Sequence, residues 1–180
     1  MTSLVEEIRQ KVADEQFEFS KHAVDQSILR QVQVQEIREV IANGQIIEDY
    51  PNDKYGPSCL ISGLTQARRP IHIQCSYPSR PLVRIILCIN LTHKNGMKTL
   101  HKGETVAMID EQETLVEKKV TYTLELNGQI FMIENVPARV NEETGEQFFS
   151  PSTVEHLQQI ILSGQQPDHF TEVPVYYYVA

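Results

Sequence analysis

His22 and Arg30 are the residues whose types and spacing point most directly to chemistry. Ser20 suits a helix N-cap, and the helix it starts carries His22, Ala23, Gln26 and Arg30. An imidazole titrates near neutrality and can give or take a proton, while a guanidinium grips phosphate with two parallel hydrogen bonds. Arg68 and Arg69, in a polar turn before Pro70, and Arg80 and Arg84 beyond it offer further phosphate contacts. Two readings of His22 stay open: an acid or base, or a helix-start histidine in a structural hydrogen bond. His72 alternates with Ile71 and Ile73 and so faces away from them, as a solvated strand residue or as part of a site.

The arginines belong to a wider asymmetry. From Lys54 to Gly103 the chain has no Asp or Glu but eight cations: Lys54, Arg68, Arg69, Arg80, Arg84, Lys94, Lys98 and Lys102. The other 130 residues hold 8 Lys+Arg and all 24 Asp+Glu, a net of −16. A cationic face on an anionic molecule suits the backbone of RNA or DNA. Buried strand, where carboxylates are scarce, explains the same window.

Composition narrows the classes. The 180 residues, 41% of them hydrophobic, suffice for one domain or two small ones. No apolar run approaches the ~20 residues that span a bilayer, so no membrane association is expected. The acidic start Met1–Glu7 lacks a signal-peptide core, which predicts a cytoplasmic protein. Cys59, Cys75 and Cys88 are odd in number and form no C-x-x-C, so free buried thiols are expected rather than disulfides or a zinc knuckle, and no cofactor.

These residues must be positioned by helices first and strands after. Leu4, Val5, Ile8 and Val12 predict one helix, and Val34, Ile37, Val40 and Ile41 another, closed at Asn43-Gly44 by a left-handed stop. Strands are expected over Gln45–Tyr50, Ser58–Leu64, Ile71–Tyr77 and Leu82–Ile89, the last apolar enough to be central. The polar segment Asn90–Gly96 marks a boundary near 91–98, dividing a half of net charge −1 (1–92) from one of net charge −7 (93–180). Beyond it, Thr114–Leu126 alternates, Asn127-Gly128 signals a hairpin, Gln129–Val136 returns, and Pro137 ends the strand. Ser150-Pro151 starts a helix running to Ser163-Gly164. The expected class is α+β: N-terminal helices on an antiparallel sheet, followed by a hairpin-plus-helix module. The aromatic tail Val173–Val179 has no charge to guard a strand edge, which predicts a homodimer.

The stretch Phe19-Ser20-Lys21-His22-Ala23, Arg30, the helix ending at Asn43-Gly44 and the strands at Ile71–Tyr77 and Val83–Ile89 resemble an uncharacterised bacterial family thought to be distantly related to the RelE and BrnT ribonuclease toxins. The likeness spans about 17–90 and implies a toxin-like domain in which His22 and Arg30 occupy the family's histidine and arginine positions. Gln26 stands where the family has a second arginine, and Leu87-Cys88-Ile89 where it has a Thr-Val-Tyr-like run. A metal-free ribonuclease needs an acid, a base and cations around the phosphorane, roles that His22 and the arginines match by type.

The second half, about 97–180, resembles the YgiT-type zinc-finger domain of MqsA-like antitoxins. The likeness rests on the strands flanking Asn127-Gly128, on Glu134-Asn135-Val136-Pro137-Ala138 and Thr144-Gly145-Glu146, on the Ser-Pro helix start, and on Glu172-Val173-Pro174-Val175. The family's zinc cysteines are missing. Lys98–Lys102 and, before the Gly-Glu, Asn141 and Thr144 stand in their places, and only His101 remains as a ligand type, so no metal is expected. Together the resemblances imply a toxin–antitoxin fusion, with Met97 as a former start, whose ribonuclease-like half is self-neutralised or degenerate. A dimeric nucleic-acid- or protein-binding module without catalysis is the alternative, and an active metal-independent ribonuclease the third reading.

Overall fold

A computed structural model describes residues 3–53, 56–90 and 114–178. In chain order the elements are α1 (Leu4–Ala13), β1 (Phe17–Ser20), α2 (Lys21–Leu29), α3 (Val34–Asn43), β2 (Gln45–Tyr50), β3 (Ser58–Leu64), β4 (Pro70–Ser76), β5 (Val83–Asn90), β6 (Leu115–Leu126), β7 (Gln129–Asn141), β8 (Gln147–Phe149) and α4 (Pro151–Leu162). The class is α+β. The boundary near 91–98, Met97, His101 and Lys54, Lys94, Lys98 and Lys102 lie outside the described residues.

The helices begin where side chains can satisfy their free N–H groups. Ser3 and Glu6 form a reciprocal capping box on α1. The Ser20 hydroxyl accepts from the Ala23 N–H at 3.2 Å and donates to the Ile86 carbonyl at 3.2 Å, so one side chain starts α2 and ties it to β5. Ser150 caps α4 with Pro151 in its first turn, as expected. The end of α3 is held by Arg9, whose guanidinium donates to the Ile41 carbonyl at 3.2 Å and the Gly44 carbonyl at 2.7 Å.

The eight strands form one sheet in the order β2-β3-β4-β5-β1-β8-β7-β6. All pairings are antiparallel except β1 with β5, which run parallel with Glu18 beside Arg84. β1 therefore lies between the N-terminal strands and the C-terminal hairpin, and β8 joins it through Phe19↔Phe149 and Ser20↔Phe148. Phe17 and Phe19 of β1, Cys59 and Ile61 of β3, Ile71 and Ile73 of β4, Val83 and Ile85 of β5, and Tyr122 of β6 share one buried cluster with the inner faces of the helices. Each such apolar side chain contributes roughly 1.5–3 kcal/mol when buried, so the core is common to both halves of the chain.

The structure corrects three expectations. Gly44 is extended (φ −77°, ψ 172°) rather than left-handed. Its glycine is required by crowding, because a Cβ there meets the Val40 carbonyl oxygen at 2.5 Å, Ile61 Cγ2 at 2.7 Å and the Ser62 carbonyl oxygen at 2.8 Å. Pro137 does not end β7, which runs to Asn141 with Pro137 opposite Lys119. β8 pairs with β7 only at Arg139 and Val140, so the missing Pro137 N–H falls where β7 has no second neighbour. The tail forms no strand among the described residues, and Phe170 and Val175–Tyr178 are 81–95% exposed.

Gly44→Ala is expected to lose about 3 kcal/mol, since two of its three contacts are rigid backbone. Gly128→Ala, at φ +78° in open space, is expected to lose only about 1 kcal/mol. Urea midpoints of the two variants test the order; equal losses would show that α3 and β3 separate to admit a methyl.

Candidate functional site

The helix that carries the sequence candidates is set by Ser20 at its start and by its buried face of Ala23, Val24, Ser27 and Ile28. His22, Gln26 and Arg30 succeed one another at four-residue steps, and His22 is exposed. Arg30 is the C-cap, and its Nε donates to Gln26 Oε1 at 2.8 Å. Gln26 thus tethers the guanidinium on the helix. Eight residues separate His22 and Arg30, about 12 Å of helix at 1.5 Å per residue.

The remaining candidates divide by surroundings. Arg68 is exposed at the β3–β4 turn with φ 60°. Arg69 Nη1 donates to both carboxylate oxygens of Glu36, at 2.6 and 2.8 Å, and its guanidinium also reaches the Gln31 carbonyl at 3.2 Å. Arg80 is half-buried, and its carbonyl accepts from the Lys11 ammonium. Arg84 is 9% exposed, its Nε donates to Glu18 Oε1 at 3.0 Å, and its guanidinium lies 3.9 Å from the Phe148 ring centre. Two of the arginines read as phosphate ligands are thus engaged with carboxylates of their own chain.

Sequence reasoning missed the group that organises the site. Glu18, only 3% exposed, accepts from Arg84 through Oε1 and from Arg139 Nη1 through Oε2 at 3.0 Å. One buried carboxylate therefore bridges a cation from β5 and a cation from β7 across β1 and β8. The available signal was the alternation Phe17-Glu18-Phe19-Ser20, in which a charge sits between two core aromatics. Further bonds join the halves on the helical face. Tyr122 on β6 donates to Asp25 Oδ1 at 2.6 Å, and burial together with that carboxylate drives its phenol pKa strongly upward. Lys21 pairs with Asp25 at 2.9 Å and donates to the Thr123 carbonyl at 3.2 Å. Gln158 of α4 donates to Ser27 Oγ at 3.0 Å and to the Val32 carbonyl at 2.8 Å.

His72 is half-buried on β4, and desolvation holds its pKa below the ordinary imidazole value, against the pull of Glu48. No group of three or more His, Cys, Asp or Glu side chains suited to a metal ion occurs among the described residues. No described helix is long and apolar enough to cross a membrane.

The unit from β1 to β5, with two helices between the first two strands, is where similarity to a known family falls. Residues 19–88 match the family described as a domain of unknown function, DUF4258. The match runs from within β1 to Cys88 of β5 and stops short of β6, β7, β8 and α4. No curated protein and no solved structure matches the chain.

Glu18→Gln keeps the shape but removes the carboxylate that Arg84 and Arg139 share, so a loss of about 3–5 kcal/mol is expected. Arg139→Ala, whose side chain is 35% exposed, is expected to lose about 1 kcal/mol or less. Chemical denaturation checks both, and a near-neutral Glu18→Gln would show that the ion triad is dispensable. For His72 the sign is fixed by its depressed pKa. Protonation favours the unfolded chain, so stability is complete above about pH 6.5 and falls as pH drops through that value toward the folded pKa. His72→Gln is expected to flatten this part of a stability-versus-pH curve; an unchanged curve assigns the slope to other groups.

Proposed function

We propose that the protein is a toxin–antitoxin-derived fusion in which a ribonuclease-like N-terminal half is held silent by its own C-terminal half. The observation that carries this reading is the occupation of β1. The edge of the N-terminal sheet is capped by β8, and the Glu18–Arg84 pair beneath it is closed by Arg139 and Phe148, all contributed by the C-terminal half. Tyr122 and Gln158 from the same half fasten α2, the helix that carries His22 and Arg30. Arg84 and Arg69, matched by type to phosphate binding, face Glu18 and Glu36 of the N-terminal half itself, and the C-terminal half adds Arg139 on Glu18 and Phe148 on Arg84. These contacts, made by the C-terminal half on β1 and on α2, support neutralisation by docking in cis. Self-association through the exposed aromatic tail belongs to the same proposal.

The test expresses three forms in a bacterial host. The full chain is expected neither to arrest growth nor to cleave RNA. Residues 1–92 alone are expected to arrest growth, co-expression of 93–180 to relieve the arrest, and His22→Ala in the short form to abolish it. Cleavage by the full chain, or soluble 1–92 that is inert toward RNA, overturns the proposal; RNA binding without cleavage in all forms points to the binding module. For the tail, sedimentation of the full chain and of a chain ending at Gly164 is expected to give a dimer and a monomer. A monomeric full chain at micromolar concentration rejects the tail as an interface.

A further inference from the structure

Cys59 and Cys75 are direct partners in the antiparallel β3–β4 ladder, with their sulfur atoms 3.9 Å apart and both residues fully buried. Directly opposed residues of an antiparallel pair have Cα atoms about 4.5–5.5 Å apart, inside the ~4.4–6.8 Å span of disulfides. Side-chain rotation can therefore bring the sulfurs to bonding distance without moving either strand. The third thiol, Cys88, pairs in register with Ile73 and not with either cysteine, and burial pushes its pKa up to about 12.

We propose that Cys59 and Cys75 form a peroxide-responsive dithiol that closes to an intrachain disulfide, with Cys59 as the attacking and Cys75 as the resolving sulfur. The contact between the two sulfurs, in which either can donate, lowers the Cys59 pKa, while the same contact and burial raise that of Cys75. The opposed register and the 3.9 Å separation carry the disulfide itself, and the lowered Cys59 pKa favours Cys59 as the first nucleophile, because the thiolate attacks. The Cys59 thiolate attacks one oxygen of hydrogen peroxide; the S–O bond forms, the O–O bond breaks, and hydroxide leaves and is protonated to water. The Cys75 sulfur then attacks the sulfenic sulfur, the S–S bond forms and the S–O bond breaks. The departing hydroxide takes the Cys75 proton as a second water. Two thiols lose two electrons and one peroxide gains them. This inference is independent of the toxin-like reading.

The test treats the native full chain with hydrogen peroxide, quenches it, and alkylates it under denaturing, non-reducing conditions. The expected result is a mass lower by about 2 Da before alkylation, one alkylatable thiol instead of three, and a proteolytic peptide pair linked through Cys59 and Cys75. Dithiothreitol is expected to restore all three thiols. In Cys75→Ser the chemistry is expected to stop at a dimedone-reactive sulfenic acid on Cys59. Three thiols remaining after treatment, a disulfide that includes Cys88, a bond between two chains, or over-oxidation of Cys59 in the wild-type chain overturns the proposal, and the linked peptide decides the case even where a variant fails to fold.

Discussion

A single buried carboxylate sets the terms on which this sheet can exist. Glu18 lies on a four-residue interior strand, with parallel β5 on one side and antiparallel β8 on the other. An unpaired charge in that position costs several kcal/mol, and Arg84 on the neighbouring strand is the buried partner that offsets it. Arg84 comes from the N-terminal half and Arg139 from the C-terminal half. The charge balance of β1 is thus complete only when the two halves are together. Phe148, seated on the Arg84 guanidinium, adds apolar cover to the same point.

The two faces of the sheet divide the work. On the helical face, apolar side chains from α1, α2, α3 and α4 meet the alternating core residues of the strands. On the other face the buried groups include polar ones: Glu18 and Arg84, the latter under Phe148, and Gln74, which donates to Ser58, which in turn donates to Asp53. The first arrangement supplies most of the stability through burial. The second supplies register, since a one-residue slip of β1 against β5 turns Glu18 into the apolar core and away from Arg84.

The long elements were legible in the sequence because their periods are repeated enough to read. The α1 and α3 stripes, the Ser20 and Ser150 caps, and the turn at Asn127-Gly128 all stand where periodicity and turn chemistry put them. β8, of three residues, is too short to display a period, β1 shows a single alternation over four, and both depend on partners distant in sequence. Pro137 misled because a proline inside a strand is permitted where the ladder is one-sided, which only the neighbouring strand reveals. The cationic window was read correctly as a charge pattern, but a pattern does not show its counter-ions. Glu36 and Glu18 lie 33 and 66 residues from the arginines they meet.

The position of β1 also bears on how the chain is made. Phe19 pairs with Ile85 on one edge and Phe149 on the other, the latter 130 residues further along. A nascent chain can therefore assemble β2 to β5 against β1 while β8 is still unsynthesised, leaving β1 as a temporary outer edge. Such edges recruit strands from neighbouring polypeptides unless they are short or carry inward-pointing charge. β1 has both features, four residues and Glu18. The carboxylate that fastens the two halves is thus also a charge that disfavours the addition of a foreign strand to β1 while β8 is absent.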